Sequence, residues 1–306
     1  MKIALVIFIT LALAGCALLS LHMGVIPVPW RALLTDWQDG REHYYVLMEY
    51  RLPRLLLALF VGAALAVAGV LVQGIVRNPL ASPDILGINH AASLASVGAL
   101  LLMPSLSVMV LPLLAFAGGM AMLAKTPQPM KLALTGVALS ACWASLTDYL
   151  MLLHPQDVNS ALLWLTGSLW GRDWHFVKIA VPLLILFLPL SLRFCRDLDL
   201  LALGDARAAT LGVSVQRTRF QGLMLAVAMT ATGVAVCGPI SFIGLVVPHM
   251  VRRIAGGRHR WLMPVSALTG ALLLVIGASG RRADRHYRRT VVCLAACENA
   301  INEITY

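Results

Sequence analysis

The chain has 306 residues, 59% of them hydrophobic and only 12% charged, with a formal net charge of +10. Ordinary soluble domains are about 45–50% apolar and about 25% charged, so there is too little polar surface here to keep a water-soluble globule in solution. The basic residues lie scattered between apolar runs, with no aromatic-interleaved basic surface for bases to stack on; this excludes a nucleic-acid binder and leaves the charges the task of setting membrane topology.

The pattern that follows is that of an all-α, polytopic transmembrane helix bundle. The first apolar run covers 3–21. Lys2 and Leu13-Ala14-Gly15-Cys16 imitate a lipoprotein signal, but the run continues through Leu21. About 19 apolar residues at 1.5 Å each suffice for a ~30 Å hydrocarbon core, so an uncleaved first helix is expected, with a signal peptide as the alternative. Further runs cover 55–75, 91–103, 106–124, 132–153, 176–194, 220–237, 239–251 and 262–279, which makes about nine credible spans. The second run holds Val61 to Gly69, dense in small residues. Gly62, Ala66 and Gly69 there offer small faces for close helix packing and predict a position inside the bundle. Gly238-Pro239 divides a stretch too long for one span and short for two, which predicts a broken or short helix. Such a break is tolerated only where protein or a water-filled cavity satisfies the freed backbone groups.

With the N-terminus in the cytoplasm, thirteen Lys and Arg residues up to position 280 fall on the inner side and six on the outer, as the positive-inside rule asks. Few groups titrate within the spans. Asp148, about one turn from Leu153 and His154, reads as an interfacial carboxylate, with an intramembrane functional carboxylate as the alternative. The six cysteines form no C-x-x-C pair, and His249 has no partner at ligand spacing, so it reads as structural and no metal site or cofactor is expected. No lysine follows a glycine, so the chain has no Walker A loop and binds no ATP in that way. No catalytic constellation appears, and an enzyme is not expected.

Three segments carry a resemblance. The first is Arg51-Leu52-Pro53-Arg54, leading through the small-residue run to Gln73 and then Arg77-Asn78-Pro79-Leu80-Ala81. The second is Ala202-Leu203-Gly204-Asp205-Ala206-Arg207-Ala208-Ala209-Thr210-Leu211-Gly212. The third is Gly238-Pro239-Ile240-Ser241-Phe242-Ile243-Gly244, continuing to Pro248-His249. In this order and context they resemble the permease family of ABC importers for iron chelates and vitamin B12, over residues 1 to about 276. The resemblance implies a ten-helix permease subunit of the bacterial inner membrane that moves an iron chelate, ferric dicitrate being the nearest likeness. It implies partners as well: ABC ATPase subunits that hydrolyse ATP below, a homologous or identical second permease, and a periplasmic substrate-binding protein above, with membrane lipid around the whole. By the same resemblance, Arg51 and Arg54 receive acidic residues of the binding protein, a role suited to outward-facing guanidiniums. Leu203, Gly204, Asp205, Ala206, Ala209, Leu211 and Gly212 belong to the inner loop that seats in the ATPase and couples it to the membrane helices.

The chain departs from the family where the fourth run ends early at Ala124, and again after residue 280. Residues 1–280 read as the permease domain and 281–306 as a tail outside the family pattern. Five arginines between 281 and 289 oppose the topology rule, and only 291–296 is apolar afterwards. Residues 291–297 can be encoded so that a one-base shift reads Trp-Phe-Val-Trp-Leu-Leu, like the family's terminal helix, which points to a frameshift. The alternative function is therefore a defective or non-transporting membrane scaffold that binds the same partners.

Overall fold

The computed structural model describes residues 2–23, 28–36, 42–102, 110, 113–118, 129–156 and 158–280. Among them every regular element is a helix. In chain order these are α1 (Lys2–His22), α2 (Ala32–Thr35), a π-helical turn (Val46–Arg51), α3 (Leu52–Val76), α4 (Ile88–Leu102), α5 (113–118), α6 (Pro129–Leu153), α7 (Val158–Leu165), α8 (Trp174–Ser191), α9 (Cys195–Leu201), α10 (Asp205–Thr210), α11 (Val215–Cys237), α12 (Ile243–Ala255) and α13 (His259–Gly280). The tail 281–306, its suspected frameshift and the early end of the fourth run at Ala124 lie outside the described residues.

Among the described residues, six helices are long and apolar enough to cross a membrane: Lys2–His22, Val46–Val76, Thr135–Leu153, Trp174–Leu201, Val215–Cys237 and His259–Ser279. The other three predicted runs are not full-length spans among the described residues. The run at 91–103 forms the 15-residue α4, the run at 239–251 forms the 13-residue α12, and most of 106–124 is not described.

Helix α3 is the axis. Every residue from Val61 through Ile75 is buried, and α1, α8, α11, α12 and α13 pack around it. Small residues allow this crowding. A methyl group added at Gly62 would overlap the Gly270 carbonyl of α13, and one at Gly69 would overlap the backbone of Gly244 in α12. Ala66 lies against Gly270 from the same face. Close backbone approach maximises van der Waals contact where lipid offers no hydrophobic contrast between helix and solvent. Helix α1 does the opposite. Ile3, Ile7, Phe8, Leu11 and Leu18 are exposed, an apolar surface suited to acyl chains.

Two irregular segments meet in the interior. Helix α11 stops at Cys237, Gly238 turns through φ 74°, and α12 restarts at Ile243 after Phe242 at φ 73°. The loop after α7 passes against this break, with Gly167 at φ 62° beside Pro239 and Gly238 beside the Trp164 carbonyl. Two of the freed groups have partners. Ser168 N–H donates to the Cys237 carbonyl at 2.8 Å, and Gly238 N–H donates to the Val234 carbonyl at 2.8 Å. An unpaired backbone group in hydrocarbon would cost several kcal/mol, so each break supplies what the other needs.

The link from α3 to α4 also differs from a simple inner loop. Arg77 ends α3 in the left-handed region at φ 56°, and the chain then turns back into the bundle. A Cβ at Gly244 would meet Leu65 O at 3.1 Å and Pro83 Cδ at 3.3 Å. Pro83 has therefore returned to a depth about three turns above the end of α3.

Candidate functional site

At the N-terminal end of α3, the π-helical turn delivers Arg51 to the start of the helix, where Pro53 fits the first turn because its absent N–H has no partner there. Sequence reasoning expects Arg51 and Arg54 to face outward; both are buried in the folded chain, at 4% and 8% exposure. The Arg51 guanidinium donates to the carbonyls of Leu21 and of His22, the latter at 3.1 Å. It thereby supplies donors to the last carbonyls of α1, groups that a helix leaves unpaired and that favour positive charge. The same region holds the His22–Trp30 ring stack at 4.2 Å and the Trp174 Nε1–H bond to the Met48 carbonyl at 2.9 Å. Asp173 caps α8 by accepting from His175 N–H at 3.0 Å, and Arg172 lies over the Phe176 ring at 4.6 Å. Burial lowers the Arg172 guanidinium from its ordinary value. The His43 imidazole, hydrogen-bonded to Asp36 at 3.0 Å, holds that carboxyl below its own.

The returning segment, α4, α6, α7 and the α11–α12 break line a half-open cavity of about 250 Å³. Asp84, Asn89, His90, Ser93, Thr147 and Asp148 line it. Asn89 donates from Nδ2 to Asp84 at 3.1 Å, while Asn89 Oδ1 and Ser93 Oγ are buried without a protein partner among the described residues. A polar cavity of this size has room for several waters and satisfies such groups with them. Sequence reasoning reads Asp148 as an interfacial carboxylate; the structure leaves it exposed near the end of α6, on the rim of this cavity. Asp84 and His90 were not singled out, because nothing near them in sequence shows that they meet Thr147 and Asp148 across the bundle. Among the described residues no group of three or more His, Cys, Asp or Glu is arranged to hold a metal ion, and His249 is exposed on α12.

Near the C-terminal end of α3, the segment expected to form the coupling loop follows α9 and contains α10, set off by Gly204 at φ 107° and closed by Gly212 at φ 87°. Both angles lie where a side chain would be strained. Ala208 is buried against the bundle, while Leu203, Ala206, Ala209 and Leu211 are exposed, Leu203 and Leu211 at 52% and 54%. An exposed apolar surface beside α10 suits a protein partner better than water. Asp205, first in α10, is held by Arg219 at 2.8 Å and by Arg77 at 3.1 Å. Nearby, Gln73 donates to the Leu245 carbonyl at 3.3 Å and accepts from Arg252 at 3.3 Å. Asp199 accepts from both the backbone N–H and Nδ1 of His259, at 3.0 and 2.6 Å. These polar links join α3, α9, α12 and α13 at one end of the bundle.

Of the packing residues expected from sequence, Gly62 and Ala66 lie at the α3–α13 crossing and Gly69 at α3–α12. Their mates, Gly270 and Gly244, were not singled out.

The chain is similar to proteins of one kind throughout. The FecCD transport family model matches residues 10–283. The Fe(3+) dicitrate transport system permease protein FecD of Escherichia coli (strain K12) is 88% identical over 282 residues, covering 90% of this chain and 89% of that protein. The Fe(3+)-citrate import system permease protein YfmE of Bacillus subtilis (strain 168) is 42% identical, covering 89% and 84%. Among solved structures, an ABC transporter assigned to the metal-chelate type, in an inward-facing conformation, superimposes with a TM-score of 0.81 at 27% identity, covering 92% and 91%. Its relatives being multi-pass permease subunits and not enzymes, the chain is a multi-pass membrane protein and a member of the FecCD transport family.

Proposed function

We propose that this chain is the membrane-spanning permease subunit of an ATP-driven importer that carries an iron chelate, ferric dicitrate, across the bacterial inner membrane. The observation that carries this reading is the 88% identity to the E. coli ferric dicitrate permease along nearly the whole of both chains. ATP hydrolysis belongs to separate ATPase subunits, since this chain has no Walker A loop. A second permease, identical or homologous, completes the pathway, and a periplasmic binding protein delivers the cargo.

Within that assembly the N-terminus lies in the cytoplasm, and the nine apolar runs cross or enter the bilayer. Residues 1–280 constitute the permease, and 281–306 a tail outside the family pattern. The outer end of α3, with Arg51 and Arg54, forms the docking site of the binding protein. Leu203, Gly204, Asp205, Ala206, Ala209, Leu211 and Gly212 form the surface that seats in the ATPase; the exposed leucines of that loop support this reading. Gly62, Ala66 and Gly69 hold α3 to its neighbours.

The experiment is reconstitution of the complete complex in proteoliposomes, with uptake of radiolabelled ferric citrate measured with and without this subunit. Uptake that requires the subunit and the binding protein is expected. Copurification of ATPase and binding protein without uptake would favour the scaffold reading, which the arginine-rich composition of 281–289 motivates.

A further inference from the structure

Two ion pairs near the end of α3 converge on one carboxylate. Asp205 Oδ1 lies 2.8 Å from Arg219 Nη2 and 3.1 Å from Arg77 Nη2. These three residues come from three elements: Asp205 opens α10, Arg219 sits in the second turn of α11, and Arg77 is the residue on which α3 ends. The two arginines are differently placed. Arg219 has a side chain only 15% exposed, whereas those of Arg77 and Asp205 are 41% and 43% exposed. The Arg219 link is the fixed half of the node and the Arg77 link the half open to solvent.

The backbone around Arg77 is special as well. A residue other than glycine holds the left-handed conformation only where its surroundings over-determine it. Arg77 does so at φ 56° at the point where the chain leaves α3 and turns back toward the polar cavity. Its guanidinium is thereby tied to α10, while its backbone sets the direction of the segment that carries Asp84 and Asn89. A shift of α10 therefore has a direct route to two places: the buried axis helix, and the segment lining the cavity at mid-depth.

We infer that Asp205 and Arg77 form the tie through which movement of the α9–α10 loop reaches α3 and the returning segment, so that Arg77 is a positioning residue for coupling hydrolysis to transport. The inference rests on the reading of the loop as the ATPase seat. A solvent-exposed ion pair contributes little to fold stability, so the tie can form and break during a cycle without threatening the bundle. Three conditions make it a coupling element: two distinct sites, a physical link between them, and a cost to breaking the link that falls on the moving state.

The test uses the complete complex in proteoliposomes and compares ATP hydrolysis with uptake. Arg77→Gln is expected to leave ATPase copurification and basal hydrolysis unchanged and to lower uptake per ATP hydrolysed about tenfold, within the usual range of coupling effects. Arg77→Lys, which keeps the charge, is expected to restore at least part of that ratio. Asp205→Asn, which also releases Arg219, is expected to lower the ratio at least as far as Arg77→Gln does. A wild-type ratio in Arg77→Gln would overturn the inference. The underlying reading has its own readout. Leu203→Asp with Leu211→Asp should abolish ATPase copurification, and if it does not, the loop is not the ATPase seat whatever Arg77→Gln does.

Discussion

Gly69 approaches Gly244 backbone to backbone, so a side chain at Gly69 has no space, and one at Gly244 would press on Leu65 O at 3.1 Å. Gly69→Val is expected to cost about 1–3 kcal/mol or more by overpacking, read as a lower thermal unfolding midpoint in detergent. Gly15→Ala on the exposed face of α1, where an added Cβ meets nothing within 4 Å, is the control and should leave the midpoint unchanged. Arg51 and Arg54 need a finer test, because their burial gives Arg51 a structural task at the end of α1. Arg51→Glu with Arg54→Glu is expected to cut uptake and binding-protein affinity while ATPase association persists. Unchanged affinity in a folded double variant would refute docking there. The small residues of α3 were legible from the sequence because their density is local. Their partners Gly244 and Gly270 were not, because they lie some two hundred positions away and each looks like an ordinary helix glycine. The burial of Arg51 was hidden for a related reason: nothing near it in sequence says that the end of α1 arrives beside it.

At the level of elements, apolar runs marked the helices well wherever length and hydropathy decide the matter. The long runs that became α1, α3, α6, α8, α11 and α13 are the ones whose pattern is continuous. The break at Gly238-Pro239 was legible too, since a glycine and a proline together interrupt a helix for different reasons. The return of 77–87 to mid-depth was not, because Asn78, Pro79, Pro83 and Asp84 have the composition of a surface turn. Only the tertiary contact with Gly244 gives its depth. The break itself is open to test. Gly238→Ala puts a side chain at φ 74° and against the Trp164 carbonyl. Strain of about 1–3 kcal/mol from the backbone alone is expected, with the α7 loop displaced. The measurement is protease or cysteine-label accessibility at Ser168: increased labelling of a Ser168→Cys reporter in the Gly238→Ala background is the expected outcome, and equal labelling would show that the two breaks do not brace each other.

For the whole molecule, the comparisons set the family, whereas the orientation is an expectation that rests on the distribution of Lys and Arg alone. The charge count favours a cytoplasmic N-terminus. Membrane-impermeant thiol reagent applied to sealed right-side-out vesicles should therefore spare a cysteine placed at Lys2 and label one placed at Tyr45, which is exposed near the outer end of α3; the reverse pattern would invert the topology. The polar cavity and the inner tie were both beyond the reach of sequence reasoning, because each joins residues from three or more elements. Helix α12 carries one further consequence. Its 13 residues extend about 20 Å, short of a ~30 Å hydrocarbon core. A segment of that length is a poor independent unit for membrane integration during synthesis. It gains a stable place only once α13 has emerged and the pair can close against α3, which was made nearly two hundred residues earlier. The glycine contact between α3 and α12 is thus a checkpoint in biogenesis: a bulky residue there should be seen first as a chain degraded before assembly, and only secondarily as a weaker finished protein.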